Sequence, residues 1–222
     1  MSETPHFSAM IEEQIRRWQG LKKQNEKPAP VIVLSREYGT GGSLIGSHLA
    51  SKLNFKLWDQ KLIQAIAENV GLSSNFLRAL DEHSRSTVED IITGVFVGQE
   101  GTEMAFVSQI YRIVHTIEKH GAGIIVGRGA QFIVDPEKAL RVRIVAPMSS
   151  RIQWVSDRES LDKKEAEKKI RRIDKERSDF HRRYFAKDAS EASHYDVVLN
   201  ASTLLLESVA NVIISSYKER FG

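Results

Sequence analysis

The chain of 222 residues contains no cysteine, which excludes disulfides and thiolate-bound metal. It also lacks any apolar run near the roughly 18 residues that a membrane span requires. The opening MSETPHFSAM has no basic stretch followed by an apolar core, so it does not read as a secretory signal. The expected location is cytoplasmic, with no membrane partner. Charge of one sign is scarce too: 32 basic against 29 acidic residues leave only +3. That balance argues against a nucleic-acid partner, as do the sparse aromatics in the basic stretch from Arg151 to Arg183. The histidines show no metal-ligand spacing, no Ser-His-Asp arrangement can be argued, and no repeat of fixed period is present. What is left is an ordinary soluble composition, 41% hydrophobic and 27% charged, with length for a substantial core in one α/β domain with insertions or two small ones.

Against that background, VIVLSREYGTGGSLIG at residues 31–46 stands out. A β-branched strand runs into a glycine turn and then a helix, an order that presents backbone N–H groups to an anion at a helix N-terminus. The obvious ligand is a nucleotide phosphate. Set against the phosphate-loop pattern G-x-x-x-x-G-K-[ST], Gly41 is the second glycine and Ser43 the hydroxyl. Arg36 stands at the first glycine, however, and Gly42 at the lysine, so two of the four fixed positions differ. A plain strand–turn–helix connection is the competing reading.

The rest of the chain alternates strand and helix. Residues 8–25 read as a leading helix with Ile15 and Trp18 on one side, open to two readings: a homodimer contact or a cover for the chain's own sheet. Pro28-Ala29-Pro30 closes it. After the first strand come a helix over 43–53, a strand over 55–58 ending at Asp59, and helical stretches over 60–80 and 103–120. A less regular segment carrying Gly94, Gly98 and Gly101 lies between those two stretches. Strands follow at 123–126, 142–145 and 196–199, with charged helices at 149–158 and 162–183. A closing helix over 203–218 is expected to turn Leu204, Leu205, Val209, Val212 and Ile213 inward. This alternation predicts an α/β fold, a three-layer, doubly wound parallel sheet with ligands outside the strand C-termini. Ser35, Asp59, Arg128 and Asn200 all fall at or just beyond those ends.

In order and spacing, the chain resembles the nucleoside monophosphate kinases, and among them the cytidylate kinase-like branch. SREYGTGGSLIG resembles that branch's altered phosphate loop, which also lacks the usual lysine. LNFKLWDQKLI resembles the second strand, where an acidic residue opens the acceptor region. IIVGRGAQFIV resembles the glycine-arginine strand end, and VRIVAPMSSRIQWVSDR the strand and helix leading to the lid. KKIRRIDKERSDFHRRYF resembles an arginine-bearing lid, and YDVVLNASTLLLESVANVI the closing strand and helix. The resemblance covers residues 31–215. It implies a P-loop kinase-like domain over 30–222, with a helical acceptor-binding region at about 60–120 and a lid at about 157–190. Residues 1–29 form an N-terminal helical extension. The implied reaction moves the γ-phosphoryl of ATP, with Mg²⁺, to a nucleoside monophosphate, CMP first. Two departures stand against cytidylate kinases proper: Gly42 replaces a loop lysine, and Val126 replaces an acidic residue before the glycine-arginine pair. They keep open an alternative, a catalytically impaired nucleotide-binding regulatory protein.

The site residues follow from the motifs and the resemblance together. Gly39, Thr40, Gly41, Gly42, Ser43 and Leu44 would cradle the ATP phosphates, with Ser43 also on the metal; a helix N-cap is the rival role for Ser43. Asp59 would order the surroundings of the acceptor's phosphate or bind a metal-coordinated water, or simply cap a helix. Arg128, between two glycines, suits bidentate capture of the acceptor's phosphate. In the lid, Arg177 is the first choice to close over the γ-phosphate, ahead of Arg182 and Arg183. Arg151 would support it from beneath, and Arg36 is a second stand-in for the lysine. Most of the run from Lys163 to Arg172 reads as a solvated helix face.

Overall fold

The computed structural model describes residues 28–68 and 102–222, with helical residues 9, 12–18, 20, 89, 90 and 92 besides. The expected continuation of the helical stretch from residue 60 to residue 80 and the glycine-bearing segment after it lie outside those residues.

Five strands form one parallel sheet in the order β2-β3-β1-β4-β5. They are β1 (Val31–Arg36), β2 (Lys56–Trp58), β3 (Gly123–Val126), β4 (Ala139–Val145) and β5 (Val197–Asn200). The helices are α1 (Gly42–Leu53), α2 (Gln60–Glu68), α3 (Thr102–His120), α4 (Met148–Glu159), α5 (Lys163–Phe185) and α6 (Leu206–Phe221). Because strand side chains alternate between faces, β1 feeds two cores. Val31 and Val33 face α2 and α3, together with Trp58 and Ile125. Ile32 and Leu34 face α1 and α6, together with Val142 and Ile144. Helices on both faces give the doubly wound, three-layer α/β architecture that the alternation predicts.

Trp18 settles on the α2–α3 side, buried and stacked 5.8 Å from Trp58 and 4.1 Å from His120. The described part of the leading helix therefore covers the chain's own core, and Trp58 is a packing residue.

Two element boundaries depart from expectation. β4 begins at Ala139, three residues early, because Arg141 interrupts the apolar run; its guanidinium turns outward to Asp196, 2.8 Å away, while the strand continues beneath it. The closing helix begins at Leu206, not 203. Leu204, Leu205 and Val212 are correspondingly exposed, at 42%, 77% and 41%. Leu205 is the N-cap, in extended conformation, which shifts the inward stripe to Val209, Ala210, Ile213 and Tyr217 at helical spacing.

Candidate active site

The turn after β1 is glycine-built for two reasons. Gly39 and Gly41 lie at φ +86° and +73°, a region costly for other residues, and neither has room for a side chain. A Cβ on Gly39 would sit 3.0 Å from Val155 and 3.1 Å from the Arg151 carbonyl of α4. One on Gly41 would sit 2.7 Å from Leu206, the first residue of α6. The turn is thus pressed between two helices and held at fixed points. Thr40 Oγ1 donates to the Glu37 carbonyl at 2.9 Å, and the Tyr38 N–H donates to Asp174 of α5 at 2.8 Å.

Gly41 is the N-cap of α1 and supplies no side-chain acceptor. The first-turn amides of Gly42, Ser43 and Leu44 therefore face the cleft without a side-chain cap, as an anion site requires. The cap role weighed for Ser43 is excluded: Ser43 is the second helical residue, is exposed, and lines the cleft. That cleft, of about 290 Å³, is walled by the turn, by Trp154 and Arg158 of α4, and by Arg177 of α5. Among the described residues, no group of three His, Cys, Asp or Glu is placed to hold a metal ion. Ser43 Oγ would suit Mg²⁺, an ion that keeps most of its waters and takes further oxygens from phosphates.

On the other side of Arg36 and Arg177 lies a larger cavity of about 460 Å³, reached by Gln60, Arg128, Phe180 and His181. Arg36 and Arg177 line both spaces. Arg36 donates to Gln60 Oε1 at 2.9 Å, while its carbonyl accepts from Arg177 Nη1 at 3.1 Å. Arg177 also lies 5.5 Å over the Tyr38 ring. Arg128 donates to Gln64 and lies 5.9 Å from the Phe106 ring centre, its backbone at φ +57° between the left-handed Gly127 and Gly129. Burial, with the neighbouring charges of Arg177 and Arg128, pushes Arg36 down to about 9. Burial likewise lowers Arg177 and Arg128, and Arg177 adds to the lowering of Arg128. Three guanidiniums crowding one another out of water form a place that favours a multiply charged anion.

The other expected residues fall as follows. Asp59 accepts the Leu62 N–H at 2.9 Å and so caps α2; its charge also opposes the lowering of Arg36. Arg151 is buried beneath the turn, paired with Asp174 and donating to the Tyr38 carbonyl at 3.3 Å, with Glu37 3.7 Å away. Arg182 and Arg183 lie exposed in the last turn of α5 and line neither space. Val126 points into the core beneath Gly46 of α1.

The sequence model of the cytidylate kinase-like family matches residues 31–203. The chain belongs to the cytidylate kinase-like family. No curated protein matches it. Among solved structures it is similar to an uncharacterised protein from Eubacterium ventriosum ATCC 27560, at 21% identity and TM-score 0.69, over 87% of this chain and 99% of that one. It is also similar to shikimate kinase from Bacteroides thetaiotaomicron, at 17% identity and TM-score 0.48, over 85% and 98% of the two chains. A gluconokinase from Sinorhizobium meliloti 1021 matches at 9% identity and TM-score 0.48, over 87% and 94%. The first likeness is one of fold. In this family member, Gln60, Trp154, Arg158, Phe180 and His181, none of them singled out as a site residue in the sequence, also reach the two spaces. Only Gln60 had a local signal, standing beside Asp59 at the end of β2.

Proposed function

We propose that the protein is a phosphotransferase that moves the γ-phosphoryl of ATP·Mg²⁺ to a nucleoside monophosphate, with CMP the first acceptor to test. The observation that carries this reading is the shared wall. Arg36 and Arg177 border both the glycine-lined cleft and the cavity reached by Arg128. Two phosphate groups, one from each side, would meet across two guanidiniums.

In this reading the first-turn amides of α1 hold the β-phosphate, and Trp154 and Arg158 flank the nucleoside end of the donor. Ser43 offers its hydroxyl to Mg²⁺, which when bound neutralises charge on the phosphate oxygens. Arg128 grips the acceptor's phosphate, and Gln64 holds its guanidinium in place. Arg177 reaches in from the lid helix to the transferring group. Phosphoryl transfer needs little more than in-line placement and charge neutralisation, so this set suffices without a covalent intermediate on the protein.

Purified protein with ATP and Mg²⁺ is expected to release ADP in the presence of one nucleoside monophosphate and not in its absence. Arg128→Ala should raise the KM for that acceptor by about 10- to 100-fold, the range for hydrogen bonds to a charged group, with the KM for ATP near that of the parent. Tight ATP binding without turnover across a full panel of monophosphates would favour the regulatory alternative instead.

A further inference from the structure

We propose that Arg36 does the work of the lysine missing from the phosphate loop, and that position 42 is glycine because the stem of Arg36 fills its side-chain space. This inference rests on the phosphoryl-transfer reading above.

Gly42 is the first residue of α1, and its backbone does not require glycine: it is absent from the left-handed residues. The reason for glycine is room. A Cβ at 42 would lie 2.8 Å from Arg36 Cγ, 3.1 Å from its Cβ and 3.6 Å from its Cδ. Arg36 therefore crosses the corridor into which a lysine at 42 would start. At its far end, a side chain on Gly127 would collide with the guanidinium. Two glycines from separate loops thus make the channel that Arg36 occupies, and Gln60 fixes its tip.

The two departures from the loop pattern are in this light one exchange. Arginine has replaced the first glycine, glycine has replaced the lysine, and the cation enters from the strand end. No salt bridge ties Arg36 to a carboxylate among the described residues, and it borders donor and acceptor spaces alike. Its planar fork can engage two phosphate oxygens at once, which an ammonium cannot. In the transfer, the bond from the γ-phosphorus to the ADP oxygen breaks as one forms to an acceptor phosphate oxygen. Arg36 gives up no proton; it balances negative charge throughout.

Two measurements test the exchange. The first uses no nucleotide: thermal unfolding of Gly42→Ala, Arg36→Gly and the double variant. Alanine is the better helix former, so Gly42→Ala should lower Tm in the parent yet raise it, or leave it unchanged, in the Arg36→Gly background, where neither Cγ nor Cβ is left at position 36. Additive shifts would overturn the packing argument. The second titrates ATP against the fluorescence of Trp154, whose indole Nε1 lies 3.4 Å from where a Cβ on Gly41 would stand; the two other tryptophans are in the opposite core. Arg36→Met, which keeps the stem and so the fold, should weaken ATP at least tenfold, while Arg36→Lys keeps most of the affinity. In an Arg36→Gly background, adding Gly42→Lys should recover at least tenfold of what was lost. Unchanged ATP affinity in Arg36→Met would overturn this inference alone. A parent protein that binds no ATP would overturn the phosphoryl-transfer reading and, with it, the lysine-like role of Arg36.

Discussion

Burial and the guanidiniums of Arg143, Arg36 and Arg177 push the His181 imidazole down to about 4, so it is neutral in the folded protein near pH 7. The unfolded chain titrates near the ordinary 6.5 and therefore binds more protons between the two values. Stability is then full above pH 6.5 and falls as the pH drops toward 4, by up to about 3 kcal/mol for a shift of this size. Thermal unfolding from pH 7.5 to 4 should show that slope, and His181→Gln should flatten it. Nothing near His181 in sequence announces this behaviour. Its charged neighbours come from β1, β4 and one turn earlier in α5, so only the fold assembles them. Arg128, by contrast, was legible, because two flanking glycines mark a turn and a turn gives an arginine one direction to point.

Helices α4 and α5 act together as a clamp on the phosphate loop. Asp174 holds the Tyr38 N–H and Arg151 from one side, and Glu37 accepts the Ala146 N–H at 3.0 Å from the other. Arg151 is thereby a positioning residue in our reading, its guanidinium occupied by protein. Arg151→Ala should lower stability by about 2–3 kcal/mol, less than a wholly buried pair would lose because the two carboxylates keep about a quarter of their exposure. Urea unfolding measures it. The other charges of α5 are different: Arg171–Glu167, Arg172–Glu176 at the rim of the larger cavity, and Lys175–Asp179 are solvated pairs one turn apart. Each contributes a few tenths of a kcal/mol at most. That distinction was half visible beforehand. Mixed signs at helical spacing disclosed the wet face, whereas which arginine turned inward depended on the angle at which α5 crosses the loop. The start of α6 was misplaced for a related reason: three consecutive leucines satisfy an inward stripe in more than one phase, and contact with Gly41 selects Leu206.

Over the whole molecule, the order of strands and helices carried most of the architecture, since short β-branched runs and stretches of helical period follow one another from residue 31 onward, apart from the less regular segment around Gly94–Gly101. What the pattern could not show is how the beginning of the chain is joined to its middle. Trp18, Trp58 and His120 stack in one layer, drawn from the leading helix, β2 and α3. Removing so large a buried side chain leaves a cavity that this layer can close only in part, so Trp18→Ala should cost about 3–5 kcal/mol. A fall in Tm of that order in the full chain, checked by calorimetry, would place the leading segment within the cooperative unit. Against this economy of packing, the turn carrying Arg128 is a local exception. Of the five non-glycine residues with positive φ among those described, Asn54, Ala122, Ser160 and Ala186 follow helix ends, where a left-handed residue is the ordinary stop. Arg128 ends no helix. Its backbone is wound against its own preference, and in the phosphoryl-transfer reading proposed above that strain fixes where one guanidinium aims: the molecule there trades conformational ease for direction.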